Sequence, residues 1–585
     1  MCGIAGVMTA DGSAPAESLL KALTVALEHR GPDGQGRYTN GDAALIQTRL
    51  AIIDLETGDQ PLHEPGGAAL VANGEIYNYL ELRASMADAL FKTQSDCEPP
   101  LFLYRKHGLD FARHLRGMFA IAIHDPQQGR LVLARDPFGI KPLYYAETSK
   151  GFAFASEPHA LIESGWIGAQ LSEQSRNELL QLQFTTGRAT IFKGIERVLP
   201  GEILAIEKGR IIERQHIEAL PNNGSETEAT IGMLDKILAD SVAVHQRSHV
   251  PYGMFLSGGI DSSAVLAMMA RLNPRPVKAF TAGFSGTAAR DERDLAREVA
   301  RSLGAEHIEI DFSEDDFWRA LPQVAGAMDD PAADYAILPT WKLAATARTE
   351  GIKVILSGEG GDELFGGYGR YRSAMRPWFL GGRAMRRNGT LDGLGILRED
   401  LNGWRDGMQA VERAGKRTGR TRLQTAQAVD CADWLPNDLL TKLDRCLMAH
   451  GVEGRTPFLD PEVAAFAFRL PDKMKVHDGL GKYLLRQWVN KHAASADAFS
   501  KKRGFTVPVG EWIAKRGVQI GPLVAKRECI RAICKPEAVE ALFREPDGKG
   551  AKFATWSLLF YALWHRHHIE RRPFMLDALA ALAEN

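Results

Sequence analysis

The sequence predicts two unlike domains: an antiparallel, layered β domain, then a parallel α/β domain that ends in helices. Three observations predict this. A chain of 585 residues is too long for a single core. Up to about residue 205, short apolar and aromatic runs alternate with tight turns. Further on, the pattern becomes strand, glycine-rich loop and helix, at "YGMFLSGGIDSSAVLAMMARL" and again at "KVILSGEGGDELFGGY".

In chain order, "LLKALTVALEHR" (residues 19–30) has helical spacing and is expected to cover one sheet face. "MFAIAIHD", "GRLVLARD", "PLYYAE" and "GFAFASE" read as strands, divided by turn formers such as "DPQQG" and "TSKG". Residues 2–205 are assigned to the first domain, 206–230 to a linker containing the polar turn "PNNGSETE", and 231–585 to the second. In the second domain, alternating strands and helices imply a parallel sheet with ligands at the carboxyl ends of its strands. Beyond residue 370 the sequence is mostly helical. "GGRAMRRNG" and "RAGKRTGRTR" read as exposed, solvated loops, and "WHRHHIE" as a helix end facing water rather than a metal site.

Composition narrows the function classes. A formal net charge of -2, with 45% apolar and 25% charged residues, is that of a soluble globular protein with no nucleic-acid or membrane partner. No run of about 18 apolar residues occurs, and the N-terminus lacks a signal-peptide pattern. The six cysteines (Cys2, Cys97, Cys431, Cys446, Cys529, Cys534) have neither metal-ligand spacing nor a disulfide framework, so a reducing cytoplasm is the expected home.

Two loops and the N-terminus carry the chemistry. In "SGGIDSS", Ser257, Gly258 and Gly259 can turn backbone N–H groups toward an anion at a helix N-terminus, and Ser262 and Ser263 can donate hydroxyls. Asp261 would repel a phosphate unless Mg²⁺ bridges the two. No Walker-type phosphate loop occurs. In the second loop, Ser357 and Gly358 follow a strand, and Glu359, Asp362 and Glu363 crowd together. That crowding costs Coulomb energy unless a cation is present, so Asp362 is expected to share Mg²⁺ with Asp261. The opening "MCGIAGVM" places Cys2 before a glycine. Removal of Met1 would leave its thiol beside a free α-amine. The bland reading is a small apolar residue starting a buried strand.

The chain resembles the glutamine-hydrolysing asparagine synthetase family over nearly its whole length. "CGIAG", "HRGPD", "RLAIIDL", "GDQPL", "NGEIYN", "GMFAIAIHD", "ARDPFGIKPLYY" and "FASE" resemble class II, N-terminal-nucleophile glutamine amidotransferases. "SGGIDSS", "SGEGGDELFGGY", "LTKLDRCLMAHGVEGRTPFLD" and "GKYLLR" resemble that family's ATP pyrophosphatase domain. The resemblance implies an αββα sandwich followed by a parallel-sheet nucleotide domain with a helical extension. It implies Cys2 as nucleophile with its α-amine as base, since a thiol of pKa about 8.5 sits beside an amine of about 7.7–8.0. Asn73 and Gly74 would form the oxyanion hole. Arg49 would clamp the glutamine α-carboxylate, Glu75 and Asp96 would hold its α-ammonium, and the backbone around Leu50 and Ile52 would line the pocket. Cys97 departs from the threonine common at this place, and a thiol is the poorer hydrogen-bonding group.

In the second half the resemblance implies ATP as substrate, an acyl-adenylate and pyrophosphate. Leu256, Ala282, Ser357 and Gly358 would line the ATP site. Ser257, Gly258, Gly259, Asp261 and Ser262 would hold pyrophosphate, with Asp261 and Asp362 as Mg²⁺ ligands. Lys482, expected within a helix, would stabilise phosphate charge. Glu359 would be the general base for ammonia, and Glu363 would touch the acceptor's ammonium. The expected partners are glutamine, aspartate and ATP, and a homodimer is left open. The activation motifs do not fix the acceptor. "DDPAADYAILPT" resembles a bacterial branch that includes surface-polysaccharide and peptide-amide pathways, so another carboxylate is the alternative. A non-catalytic storage or regulatory relative is the alternative of a different class.

Overall fold

The computed structural model describes residues 2–222, 229–289, 291–376, 385–500, 507–573 and 575–584. The first half is a sandwich of two six-stranded sheets. One sheet runs in the order Glu196–Arg197, Tyr144–Thr148, Gly151–Ala155, Gly3–Thr9, Ala43–Arg49, Gly34–Asn40. The other runs Arg210–His216, Glu202–Glu207, Arg130–Arg135, Gly117–Asp125, Ala69–Ile76, Leu62–His63. Neighbouring strands in both are antiparallel. All four runs read as strands from their sequence take that form.

Alternation decides the packing, because successive side chains of a strand face opposite layers. Ile4, Leu45, Val71, Ala120, Leu133 and Phe154 meet between the sheets. Ala5, Val7 and Ile46 face outward beneath Leu19, Leu20 and Leu23 of the helix Glu17–Ala26. Leu70, Ile121 and Val132 face the opposite way, against Leu101 and Tyr104 of the helix Pro99–His107. The helix expected over residues 19–30 therefore covers a sheet face, but it stops at Ala26 and a 3-10 turn follows at Glu28–Arg30.

The segment expected as a linker begins inside this domain. Arg210–His216 pairs with Glu202–Glu207 as the edge strand, so the sheet runs eleven residues beyond the expected boundary. Its alternating polar sequence "RIIERQH" suits an edge exposed on one side. Residues 223–228 of the polar turn "PNNGSETE" lie outside the described residues.

The second half is built on a five-stranded parallel sheet, ordered Glu306–Asp311, Lys278–Gly283, Tyr252–Phe255, Val354–Leu356, Glu453–Arg455. The strand order reverses between Tyr252–Phe255 and Val354–Leu356, which pair directly. That reversal opens a crevice beyond the strand ends, the ordinary ligand position in open α/β sheets. Both motif loops leave from these two strands and so lie side by side.

Helices dominate after residue 370, as expected. "RAGKRTGRTR" is only in part an exposed loop. Arg417 pairs with Glu218 at 2.7 Å, and Arg420 donates to the Pro221 carbonyl at 3.3 Å, fastening the turn to the end of the first half. Residues 381–384 of "GGRAMRRNG" lie outside the described residues. The "WHRHHIE" reading needs correction. His568 ends the helix Gly548–His568 but is buried, lying 3.2 Å from the Ala325 carbonyl and stacked on Trp564. No group of three or more His, Cys, Asp or Glu side chains that could hold a metal ion occurs among the described residues. No described helix is long and apolar enough to cross a membrane. All six cysteines are buried free thiols.

Candidate active sites

Cys2 sits directly before the buried strand Gly3–Thr9, so the bland reading of its position is correct as far as it goes. The glycine after it has a steric reason. A Cβ on Gly3 would come within 2.6 Å of Thr48 Oγ1 and 2.9 Å of Leu27 Cβ. What surrounds Cys2 is polar. Its backbone N donates to Asn73 Oδ1 at 3.2 Å, and Gln47 Nε2 lies 3.1 Å from its sulfur. Burial pushes the thiol up, while the Leu50 backbone N–H and the positive charge of Arg49 oppose that shift. Met1 lies outside the described residues.

Asn73, Gly74 and Glu75 occupy consecutive positions of the strand Ala69–Ile76. Asn73 is fully buried, and its Nδ2 has no hydrogen-bond partner among the described residues. An orphaned buried amide is costly in a resting protein. Beside a nucleophile, it is a donor ready for a developing oxyanion. Side chains on Gly74 are excluded, since a Cβ would lie 2.1 Å from the Met118 carbonyl.

The expected glutamine clamps are brought together, each with a partner already in place. Arg49 donates to Asp59 at 2.6 Å and to the Asp54 carbonyl at 2.5 Å. The Ile52 carbonyl accepts from His249 N, at 3.0 Å, across the boundary between the halves. Asp96 accepts from Ile76 N at 2.7 Å, and burial pushes its carboxyl up to about 6. Burial also raises Glu75 well above the usual carboxylate range, and the nearby charges of Glu453 and Asp96 add to that. Crowded buried acids of this kind gain from an incoming cation. The Cys97 sulfur lies 3.6 Å from Asp96 and 3.9 Å from the Gly74 carbonyl, so the thiol makes only long contacts to this wall.

Four further residues here were not singled out in the sequence: Gln47, Arg30, Asp444 and Arg445. Gln47 reaches the sulfur. Arg30 of "HRGPD" is fully buried; its Nε donates to the Cys2 carbonyl at 3.3 Å, and its Nη1 to Glu157 at 2.7 Å and Asp444 at 2.8 Å. Asp444 and Arg445 come from "LTKLDRCLMAH", so the backbone of Cys2 is braced, through Arg30, from the second half. Arg30 stands in a quoted motif, but no sequence spacing announces a partner 414 residues away.

The second site is a cavity of about 770 Å³ at the strand reversal. Leu256, Ala282, Ser357 and Gly358 line it together with Ser257, Gly258, Gly259 and Ser262 of the first loop. The loop folds on itself through hydroxyls: Ser257 N donates to Ser262 Oγ at 3.2 Å, and Gly259 N to Ser257 Oγ at 3.3 Å. Gly258 has φ +67, which a glycine adopts without penalty. Ser263, expected to donate its hydroxyl here, is fully buried and does not line the cavity.

Lys482 is not inside a helix, as the sequence suggested. It is the residue before the helix Tyr483–His492, held in the left-handed region at φ 62, where a non-glycine residue is strained. That conformation sends Nζ between the acids, in contact with Asp261 and 2.7 Å from Asp362. Asp261 and Asp362 thus converge on one point. Small residues make the room: a Cβ on Gly361 would lie 2.5 Å from Asp261 Oδ1, and one on Gly367 would lie 1.8 Å from Asp362 Oδ1. Two converging hard oxygen donors above a phosphate-cradling loop are a donor set that fits Mg²⁺.

Deeper in the cavity, Glu359 lies 3.9 Å from Lys442 Nζ, and burial raises its carboxyl. Lys442 also pairs with Asp334 at 3.0 Å. It was not singled out in the sequence, although it stands in a quoted motif. Glu363 is buried against the Tyr368 hydroxyl at 2.8 Å, and burial, then the charge of Asp362, pushes it up to about 8.

Comparison with known proteins agrees with both halves. The family model described as Asparagine synthase matches residues 233–566, and the one described as Glutamine amidotransferase domain matches residues 1–217. The protein named Asparagine synthetase [glutamine-hydrolyzing] 1 of Bacillus subtilis (strain 168) is 32% identical over 623 residues, 98% of each chain. This chain belongs to the glutamine-hydrolysing asparagine synthetase family. Asparagine synthetase B [glutamine-hydrolyzing] of Escherichia coli (strain K12) is 30% identical, covering 88% of this chain and 83% of that one. Amidase chry2 of Gibberella zeae is 32% identical over 64% of this chain and 60% of its own. Membership of the synthetase family accounts for both the sandwich and the nucleotide-type sheet in one chain.

Proposed function

We propose that the protein makes asparagine from aspartate, glutamine and ATP, as its family name implies, in the cytoplasm. The observation that carries this reading is the coexistence of two complete constellations in one chain. In the first, Cys2 attacks the glutamine amide carbon, with its free α-amine taking the thiol proton. Asn73 Nδ2 and the Gly74 N–H hold the oxyanion, Arg49 clamps the α-carboxylate, and Glu75 and Asp96 hold the α-ammonium. Ammonia leaves, and water releases glutamate.

In the second, the aspartate side-chain carboxylate displaces pyrophosphate from the α-phosphorus of ATP, giving an acyl-adenylate. Ammonia then attacks the acyl carbon, AMP leaves, and Glu359 takes the proton of the attacking nitrogen. Lys482 steadies phosphate charge, and Glu363 faces the acceptor's ammonium. Asp261 and Asp362 would hold Mg²⁺, which when bound supplies charge neutralisation at the phosphates.

The test is acceptor dependence. Protein given ATP, Mg²⁺ and glutamine is expected to release pyrophosphate rapidly only when aspartate is added, with asparagine appearing by mass spectrometry. Intact glutaminase activity without asparagine would return the reading to another carboxylate.

A further inference from the structure

The synthetase half contributes a side chain to the glutamine site. Arg455 ends the strand Glu453–Arg455 and is fully buried. Its Nε donates to Glu453 at 2.6 Å, and its Nη1 donates to the carbonyls of His245 at 2.9 Å and Arg247 at 2.7 Å. Three bonds thus fix the plane of the guanidinium. The remaining nitrogen, Nη2, lies 3.2 Å from Glu75 Oε2, on the strand that also carries Asn73. Neither atom of that contact makes an aligned hydrogen bond among the described residues, so it is a charge contact that leaves lone pairs of Glu75 available. The backbone carbonyl of Arg455 accepts from Ser357 N at 2.8 Å, and Ser357 lines the cavity of the second site.

We infer that Arg455 is a positioning residue of the glutamine site, holding the Glu75 carboxyl in the orientation that receives the substrate's α-ammonium. This rests on the role proposed for Glu75 above. Glu75, Asp96 and Glu453 are three carboxylates in one buried neighbourhood, and burying like charges together drives one of them to bind a proton. The guanidinium offsets that repulsion for the two acids it touches. Without it, Glu75 loses a cation that favours its charged form and a contact that fixes its orientation, and it meets the ammonium as a poorer partner. The attacking sulfur and the oxyanion donors do not depend on Arg455, so the loss falls on substrate binding.

The experiment compares glutamine with its analogue lacking the α-amine, 5-amino-5-oxopentanoate, in the full-length enzyme. Arg455→Met is expected to raise the glutamine KM about 10- to 100-fold, the worth of a charged contact, with a much smaller change in kcat. The preference for glutamine over the amine-free analogue should collapse by the same factor, and Arg455→Lys should restore part of it. A general loosening of the fold would impair both substrates alike. If Arg455→Met does not fold, Arg455→Met with Glu453→Gln removes both members of the buried pair, and a smaller loss of preference is expected, because the repulsion from Glu453 goes with the guanidinium. Glu75→Gln separates the two levels of the reading. If it keeps the preference, Glu75 does not hold the ammonium. If it loses the preference while the Arg455 variants keep theirs, the inference about Arg455 is overturned and the role of Glu75 stands.

Discussion

Cys2→Ala is expected to lose glutamine hydrolysis by at least about 10³-fold, as removal of a nucleophile does, and to keep synthesis from added ammonium salt. No nearby group replaces the thiol. The side chain that hydrogen-bonds its sulfur is the amide of Gln47, which is not a nucleophile at neutral pH. The phosphate loop and Lys482 belong to the other half and are untouched by the change. Ammonium-dependent synthesis should rise with pH, as more free NH₃ becomes available. The measurement is glutamate release and amide formation on one preparation, with glutamine or ammonium chloride as the nitrogen source. An N-terminal extension that blocks Met1 removal should behave like Cys2→Ala, because an amide nitrogen cannot accept the thiol proton. Normal hydrolysis by the extended protein would show that the α-amine is not the base.

Asp261→Asn and Asp362→Asn give the opposite pattern. Each is expected to cut ATP-dependent amide formation by about 10³-fold, the several kcal/mol that metal-assisted charge stabilisation supplies. Glutamine hydrolysis should persist. The two acids meet at Lys482 Nζ, so losing either charge removes half of the oxygen set and unbalances the lysine. The exchange to Asn keeps volume while removing the charge and turning one acceptor oxygen into a donor, so the effect reads the loss of an anionic ligand rather than packing. Assays of pyrophosphate and glutamate on the same samples decide it. Undiminished synthesis in both variants would remove these residues from the site.

The sequence made the first-order architecture legible for definable reasons. Strands buried on both faces write near-continuous apolar runs such as "GMFAIAIHD", and a loop expected to cradle phosphate must be glycine-rich where backbone N–H groups converge. Arg210–His216 was missed because an edge strand exposed on one side reads like a polar connector. A helix does follow in "GKYLLR", but it starts at Tyr483, and the left-handed backbone of Lys482 just before it is not written in the residue pattern. His568 was taken for a solvated helix end because clustered histidines look polar, although Trp564 and the Ala325 carbonyl enclose it. Least legible were the residues whose partners lie in the other half. Arg30 with Asp444, and Glu75 with Arg455, join positions hundreds of residues apart, and no local pattern encodes such a pair.

The central claim is that one chain activates a carboxylate as its adenylate and delivers glutamine nitrogen to it. A single reaction tests both parts, using aspartate labelled with ¹⁸O in its side-chain carboxylate and glutamine labelled with ¹⁵N in its amide. Attack of a carboxylate oxygen on the α-phosphorus, followed by departure of AMP, must leave one ¹⁸O in AMP. Mass spectrometry should find AMP carrying one ¹⁸O, unlabelled pyrophosphate, and asparagine carrying ¹⁵N in its amide. Unlabelled AMP beside labelled asparagine, or ¹⁸O in inorganic phosphate, would contradict the adenylate route.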